Sequence, residues 1–223
     1  MTEIHWTAQA SWPILAMLQL LPLLGAVAVF ALGERAAALA LGRVVAVAQL
    51  GLGFALYRHI DAASPALQLA ERLDGFGYHA AADGVTALFV LLAALISVLM
   101  MLYGMVRRLS APGRLMALIL LAEAALMVML VTMNLLWFAL FSVLELAVAG
   151  YLIGHWSTST EENRSLAMAR FLQFQGVGVL LLAGGMIILA WGHADVTGRW
   201  SFDLFDLIQH PAQGKFQTAA FFL

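Results

Sequence analysis

The strongest constraint on this chain is an apolar run over residues 115–156, LMALILLAEAALMVMLVTMNLLWFALFSVLELAVAGYLIGHW, whose only charged residues are Glu123 and Glu145. A membrane-spanning helix needs about 20 apolar residues, so the run is long enough for two crossings. Thr132 and Asn134 form the polar break near its middle, and a helical hairpin that turns there is predicted. Because Glu123 and Glu145 lie equally far from Asn134 along the chain, both carboxyl groups are predicted near mid-membrane, on adjacent antiparallel helices.

Two carboxyl groups at that depth need an explanation, since each charged one costs roughly 2.5 kcal/mol or more on membrane-insertion scales. One interpretation is structural: neutral Glu side chains hydrogen-bond neighbouring helices. The other is proton handling, because burial favours the protonated form and small changes nearby then bind or release a proton. We expect at least one of Glu123 and Glu145 to be protonated at rest. Both are the candidate proton-pathway residues, and Glu145 lies at the centre of its span.

The composition, 63% hydrophobic and 11% charged residues, is typical of an all-α polytopic membrane protein. The absence of Cys excludes disulfides, thiolate metal sites and Cys nucleophiles. The six histidines, at positions 5, 59, 79, 155, 193 and 210, lack metal-ligand spacing, and no phosphate-binding loop is present. The chain is therefore expected to hold no catalytic residue, cofactor or metal, to carry no redox chemistry itself and to bind no nucleic acid.

A single membrane domain over residues 1–223 is predicted. Its six complete spans are expected at about 13–32, 36–57, 84–106, 113–133, 135–156 and 166–191, and the start of a seventh at 215–223. The first apolar run is interpreted as a mature span, because no Lys or Arg precedes it.

Several local features accompany these spans. Pro22 is expected to kink the first span or to mark its packing, and Gly51 and Gly53 are expected at close helix approaches. Residues 58–83 and 192–214 are interpreted as polar loops, the first with turns at Ser64-Pro65 and Asp74-Gly75. The sixth helix is expected to start at Thr158 or Ser159, ahead of Glu161 and Glu162.

The basic residues predict the orientation. Seven fall on one side of the predicted spans (Arg35, Arg43, Arg107, Arg108, Arg114, Arg164 and Arg170) and four on the other (Arg58, Arg72, Arg199 and Lys215). Cytoplasmic loops carry the excess of Lys and Arg, so a periplasmic N-terminus in a bacterial inner membrane is expected, with both long loops outside.

Arg170 lies a turn or so inside the sixth span, with Gln173 and Gln175 nearby. It could snorkel to the cytoplasmic interface, or it could be a charge partner for a buried carboxylate. Arg keeps its proton, so it could bias a neighbouring Glu but not relay protons. Asn134 and Gln173 are the candidate polar relay residues.

Four segments resemble a known family. They are LQLAERLDGFGYHAAADGVTALFVLL at 67–92, LLAEAALMVMLVTMNLLWFALF at 120–141, YLIGHW at 151–156 and LAMARFLQFQGVG at 166–178. In this order and spacing they are similar to the N-terminal half of the proton-conducting antiporter-like subunits of respiratory complex I and Mrp antiporters, most closely the chain M type.

The resemblance implies half of a proton channel, formed by a Glu in the fifth span and a Lys in a broken seventh span. The family's channel Glu falls on Val143, and Glu145 follows two residues later. Two helical residues turn by about 200°, so Glu145 replaces that group only if a wide bulge near Gly150 or a rotation about Asn134 returns it to the interior. Glu123 matches a Glu often seen in the chain M type, and Arg170 stands where many members have Lys.

The predicted function is therefore a membrane subunit of a multisubunit energy-transducing complex, like chain M of NADH:quinone oxidoreductase, that contributes a half-channel for protons. The alternatives are an antiporter-like subunit of an inorganic-carbon uptake, hydrogenase or Mrp complex, and a degenerate, non-conducting structural subunit. The expected partners are the lipid bilayer and other membrane subunits, one of which completes the seventh span, because an unfinished helix leaves backbone groups unsatisfied in lipid.

Overall fold

The structure, a computed structural model, describes residues 12–61, 63–64, 66–73, 77–157, 160–212 and 214–222. In chain order its elements are α1 (Ile14–Leu32), α2 (Ala36–His59), β1 (Gln68–Leu73), β2 (Tyr78–Ala82), α3 (Gly84–Val106), α4 (Pro112–Val131), α5 (Leu135–Trp156), α6 (Glu161–Thr197), α7 (Leu204–Gln209) and α8 (Lys215–Phe221). Helices α1 to α6 are long and apolar enough to cross a membrane. The predicted all-α polytopic fold with six spans is confirmed.

The first five spans end close to the predicted positions, but α6 extends beyond 166–191 at both ends. Its first turn holds Glu161 and Glu162, which a helix N-terminus favours although they lie outside the apolar run. It ends only at Gly198, whose φ of 75° is the left-handed conformation that often terminates helices. The residue before the helix is Thr160, and the predicted start at Thr158 or Ser159 lies outside the described residues.

The loop predicted over 58–83 is partly wrong, because residues 68–73 and 78–82 form the two antiparallel strands of a β-hairpin. Strands β1 and β2 pair Glu71 with Ala80, and Leu73 with Tyr78. The three alanines of β2 are completely buried beneath the helices. Alanine favours helix over strand, so the sequence carries little β signal here. The turn residues Pro65, Asp74 and Gly75 lie outside the described residues.

The loop predicted over 192–214 is also partly wrong. The end of α6 and the short helix α7 occupy much of it. Asp203 starts α7, and its carboxylate accepts a hydrogen bond of 2.9 Å from the backbone N–H of Phe205. A helix of this length has no apolar periodicity to read from sequence.

Helix α4 is the most buried span and packs against α1, α2, α3 and α5. Helix α1 runs unbroken through the buried Pro22. A Cβ built at Gly53 would lie 3.5 Å from the Cα of Leu91, so α2 and α3 do approach closely there. At Gly51 such a Cβ would meet nothing within 4 Å among the described residues, so the close approach predicted for Gly51 is wrong.

Two carboxylates from distant parts of the chain cap the N-termini of spans. The Glu71 oxygens accept hydrogen bonds of 2.8 Å from the N–H groups of Leu15 and Ala16, at the start of α1. Glu34 accepts bonds of 2.7 and 3.1 Å from the N–H groups of residues 113 and 114, at the start of α4. Both stabilise orphan donors at the positive end of a helix dipole.

Candidate functional site

The turn between α4 and α5 fixes the relative position of the two intramembrane acids. Asn134 caps α5: its Oδ1 accepts hydrogen bonds from the N–H groups of Leu136 (2.9 Å) and Trp137 (3.4 Å). Its Nδ2 donates to the carbonyl oxygen of Gly77 at 3.0 Å. The predicted helical hairpin is therefore present, and the polar atoms of Asn134 are engaged at the end of the helix.

Glu123 on α4 and Glu145 on α5 line the same cavity of about 370 Å³, which lies between α3, α4 and α5. The rest of its lining is apolar except for Ser97 on α3. Two carboxyl groups and one hydroxyl group thus face a shared space inside otherwise apolar surroundings. Equal spacing from Asn134 predicted that the two acids lie at the same level.

Glu123 is only 1% exposed. Within the described part of the chain, neither of its carboxyl oxygens has a hydrogen-bond partner of ordinary geometry. The Ser97 side chain lies beside the carboxyl group in the same cavity. A buried polar group without a partner is rare, and it often marks a functional site or a bound water.

Glu145 faces two cavities rather than one. Besides the cavity shared with Glu123, it lines a second of about 500 Å³ between α4, α5 and α6, together with Ser142 and Gln175. Its Oε2 atom is buried and has no hydrogen-bond partner among the described residues. The Glu145 side chain therefore stands at the boundary between the two cavities.

Glu145 reaches this position without any distortion of its helix. Helix α5 is regular from Leu135 to Trp156, so the bulge expected near Gly150 is wrong. At Gly150 the helix instead approaches Leu172 of α6, whose Cδ2 would lie 2.7 Å from an added Cβ. Val143, where the resemblance places the channel acid, is 53% exposed. The interior face of α5 is thus the one that carries Glu145.

Arg170 and Gln173 are not brought to this site. Both side chains are exposed on α6, and neither lines the two cavities that Glu145 faces. Gln175 takes the place expected of Gln173, because it shares a face of α6 with Gly178 and Leu182 along the second cavity. Gln173, Gly176 and Leu180 repeat the same residue types at the same spacing, so the sequence alone does not distinguish Gln175 from Gln173.

A second polar cluster, which sequence analysis missed, connects the β-hairpin to α1. Gln19 donates from Nε2 to the hydroxyl oxygen of Tyr78 at 2.8 Å and to the carbonyl oxygen of Leu15 at 3.1 Å. Burial raises the pKa of Glu71, although its hydrogen bonds to α1 oppose the shift. Burial, together with the nearby charge of Glu71, also raises the pKa of Tyr78.

The hairpin is also tied to the segment after α6. His79 Nδ1 and Asp203 Oδ2 lie 2.7 Å apart, with the side chains 5% and 16% exposed. The His79 ring stacks on Phe205 at a centroid distance of 4.9 Å. In the part of the chain that the structure describes, no three His, Asp or Glu side chains form a group suited to hold a metal ion.

Two relatives, one a dehydrogenase subunit and one an oxidoreductase chain, match most of this chain, whereas no family model matches it. F(420)H(2) dehydrogenase subunit M of Methanosarcina mazei is 28% identical over 201 residues, which cover 88% of this chain and 40% of the relative. NAD(P)H-quinone oxidoreductase chain 4 2 of Microcystis aeruginosa is 28% identical over 213 residues, which cover 89% of this chain and 36% of the relative. The chain thus spans well under half the length of these relatives.

Solved structures show the same fold. A chain of respiratory complex I from Thermus thermophilus with bound NADH superimposes with a TM-score of 0.69 at 28% identity, over 93% of this chain and 42% of that one. A chain of the archaeal membrane-bound sulfane sulfur reductase (TM-score 0.67, 16% identity, 85% of this chain and 39% of that one) shares the fold. By sequence and by fold, this multi-pass membrane chain is similar to the antiporter-like membrane subunits of complex I-type respiratory complexes.

Proposed function

We propose that this chain is a membrane subunit of a multisubunit energy-transducing complex and that Glu145 and Glu123 carry protons within it. The observation that carries the proposal is the shared cavity. Two carboxyl groups on adjacent antiparallel helices line it, and each has a buried oxygen without a hydrogen-bond partner among the described residues. Unpaired acids in a membrane interior are costly and are usually kept for a function.

The geometry supports a route across α5. A proton would arrive at Glu145 from the cavity that holds Gln175 and Ser142, and would leave towards Glu123 through the cavity between α3 and α5. A proton passes between two groups only when they are hydrogen-bonded directly or through one water. Water in the two cavities would make this connection between the carboxyl groups. Two unpaired negative charges in one apolar cavity are unfavourable, so the pair would hold at least one proton.

The wider setting belongs to the same proposal. The excess of Arg in the short links after α1 and α3 supports an N-terminus on the periplasmic side of a bacterial inner membrane. Other membrane subunits would cover α6 and α8, and one of them would complete the seventh span. The chain M relationship supports an oxidoreductase as the soluble arm, with no cofactor held by this chain.

A second candidate is a structural subunit that conducts no protons. The observation in its favour is that Val143 occupies the position of the family's channel acid and that Arg170 lies away from both cavities. In that case Glu123 and Glu145 would be neutral packing groups. Complexes for carbon uptake, hydrogen metabolism or cation exchange would be told apart by the soluble subunits that copurify with the chain.

Substitution of each acid in the intact complex tests the proposal. Glu145→Gln and Glu123→Gln preserve size and remove the titrating group, so each is expected to abolish most proton translocation per turnover while the complex assembles at normal mass. Glu162→Gln, which changes an exposed acid in the first turn of α6, is the matched control and should translocate normally. If assembled complexes with Glu145→Gln or Glu123→Gln both translocate protons fully, the chain is a structural subunit and the proposal is wrong.

A further inference from the structure

A third buried polar side chain, Gln49 on α2, lies in the same part of the membrane domain. Gln49 is 0% exposed, and its Nε2 donates a hydrogen bond of 2.7 Å to the carbonyl oxygen of Leu18. Its Oε1 is buried and, within the described residues, has no hydrogen-bond partner. An amide oxygen only accepts hydrogen bonds, so this atom needs a donor.

The helix register places Gln49 at the level of Glu123. Spans α2 and α4 run in the same direction, and they touch where a Cβ added to Gly42 would lie 3.5 Å from the Cβ of Met116. Gln49 follows Gly42 by the same number of residues by which Glu123 follows Met116. The separation is seven residues in both helices. Seven residues make about two helical turns, or about 10.5 Å along the axis, and return each side chain to nearly the same face. Gln49 and Glu123 are thus expected at one depth, on two helices that are in contact.

The chemistry of these groups depends on the proton of Glu123. An ionised Glu123 offers only acceptors, so it could not satisfy the Gln49 oxygen. A protonated Glu123 carries one O–H donor and keeps acceptor capacity for the Ser97 hydroxyl group. The other titratable group in the cavity is Glu145, whose negative charge would also disfavour an ionised Glu123.

We propose that Gln49 is a positioning residue that accepts a hydrogen bond from protonated Glu123, either directly or through one buried water. The contact orients the carboxyl O–H towards α2 and holds it there until Glu123 loses its proton. That consequence for proton transfer rests on the proposed function, whereas the contact itself does not.

Infrared spectroscopy of the intact complex tests the contact without any measurement of activity. The band lost in Glu123→Gln identifies the protonated carboxyl group of Glu123. Gln49→Leu keeps the side-chain volume and removes the hydrogen-bond acceptor, so it is expected to shift this band to higher frequency or abolish it. Gln49→Met also removes the acceptor and replaces the Leu variant if that variant does not assemble. Gln19→Leu, the same change at a buried Gln that is hydrogen-bonded to Tyr78 instead, should leave the band unchanged.

Two further comparisons complete the test. A bridging water would add an O–H stretch that shifts in H₂¹⁸O and disappears in Gln49→Leu, whereas a direct contact would add none. A Glu123 band unchanged in Gln49→Leu and Gln49→Met, or no band lost in Glu123→Gln, would overturn the inference. Normal translocation by Glu123→Gln together with the expected band shift would reject the proposed function and retain the contact.

Discussion

At the scale of single residues, the polar side chains of this chain fall into two groups. Those at helix ends, such as Asn134, Glu71 and Glu34, satisfy backbone donors of the spans. Those of the second group, Glu123 and Glu145, lie in mid-span and have buried oxygens without a hydrogen-bond partner among the described residues. Side chains of the first group stabilise the fold in an ordinary way, so the second group is where a function is expected.

Glu71 gives a pH dependence whose sign follows from its surroundings. Burial raises its pKa, so folding favours the protonated form. Its contribution to stability is therefore fully present below the pKa of the unfolded chain and is lost as the pH rises through the higher folded value. Thermal unfolding in detergent should show stability that falls with pH in this mildly acidic window, and the slope should be smaller in Glu71→Gln. An equal slope in both proteins would show that burial does not control this carboxyl group.

The sequence predicts part of the candidate site. The equal spacing of Glu123 and Glu145 from Asn134 is enough to bring them to one level, because two antiparallel helices with a tight turn have a fixed register. Gln49 could not be linked to Glu123 in this way, since the register of α2 against α4 is set by tertiary packing, such as that of Gly42 on Met116. Contacts between helices distant in sequence depend on such packing, which periodicity does not show.

At the scale of helices, small residues set how closely the spans pack. A Cβ added at Gly25 would lie 2.7 Å from Cγ1 of Val45, and the β-branched Val45 has one strongly preferred rotamer in a helix. Gly25→Ala is therefore expected to destabilise the α1–α2 pair by about 1–3 kcal/mol through overpacking. Gly51→Ala, at a site open within the described residues, should be neutral or stabilising by up to about 1 kcal/mol.

Unfolding of the two Gly variants in parallel, in the same detergent, measures this difference. Helix propensity favours Ala at both positions, so only packing can make the two substitutions differ in sign. If Gly25→Ala is as stable as Gly51→Ala, α1 and α2 adjust to the added methyl group and do not depend on this approach.

The spans were predictable because about 20 apolar residues in a row have no other stable structure in a bilayer. The β-hairpin was not, since the buried strand YHAAA owes its conformation to the helices above it rather than to its own residues. The antiparallel pairing satisfies its backbone groups, which would otherwise be buried without partners. Local sequence carries little information on structure that is imposed by such tertiary burial.

The His79–Asp203 pair makes a prediction about how the hairpin is held. The two side chains are largely buried, so loss of the hydrogen bond between them should cost more than loss of an exposed one would. Asp203→Asn keeps an oxygen that can cap α7 and is expected to weaken the link, which raises amide hydrogen exchange in β2. Asp206→Asn, which changes an exposed acid on α7, is the control and should leave β2 protected. If the amides of β2 exchange equally slowly in both variants, the hairpin is held by its backbone contacts and not by the His79–Asp203 pair.

At the scale of the whole molecule, the buried fraction differs strongly from one helix to another. Helix α4 is the most enclosed span, and α6 is the most open, with large apolar side chains such as Phe174 and Leu180 exposed. The two cavities that Glu145 faces lie on the path from α3 to α6. The arrangement therefore places the acids between the most buried helix, α4, and the most exposed one, α6.

The orientation of the molecule in the membrane provides the last prediction. The short link between α3 and α4 carries Arg107, Arg108 and Arg114, and positive charge in short loops sets the cytoplasmic side. The chain has no native Cys, so single cysteines report unambiguously. In intact cells, an impermeant thiol reagent should label Asp61→Cys, which lies in the exposed segment after α2. It should label Ser110→Cys, in the link that contains the arginines, only after the membrane is opened. If only Ser110→Cys is labelled in intact cells, the β-hairpin and the N-terminus lie in the cytoplasm. Any proton path through Glu145 and Glu123 would then run in the opposite direction across the bilayer.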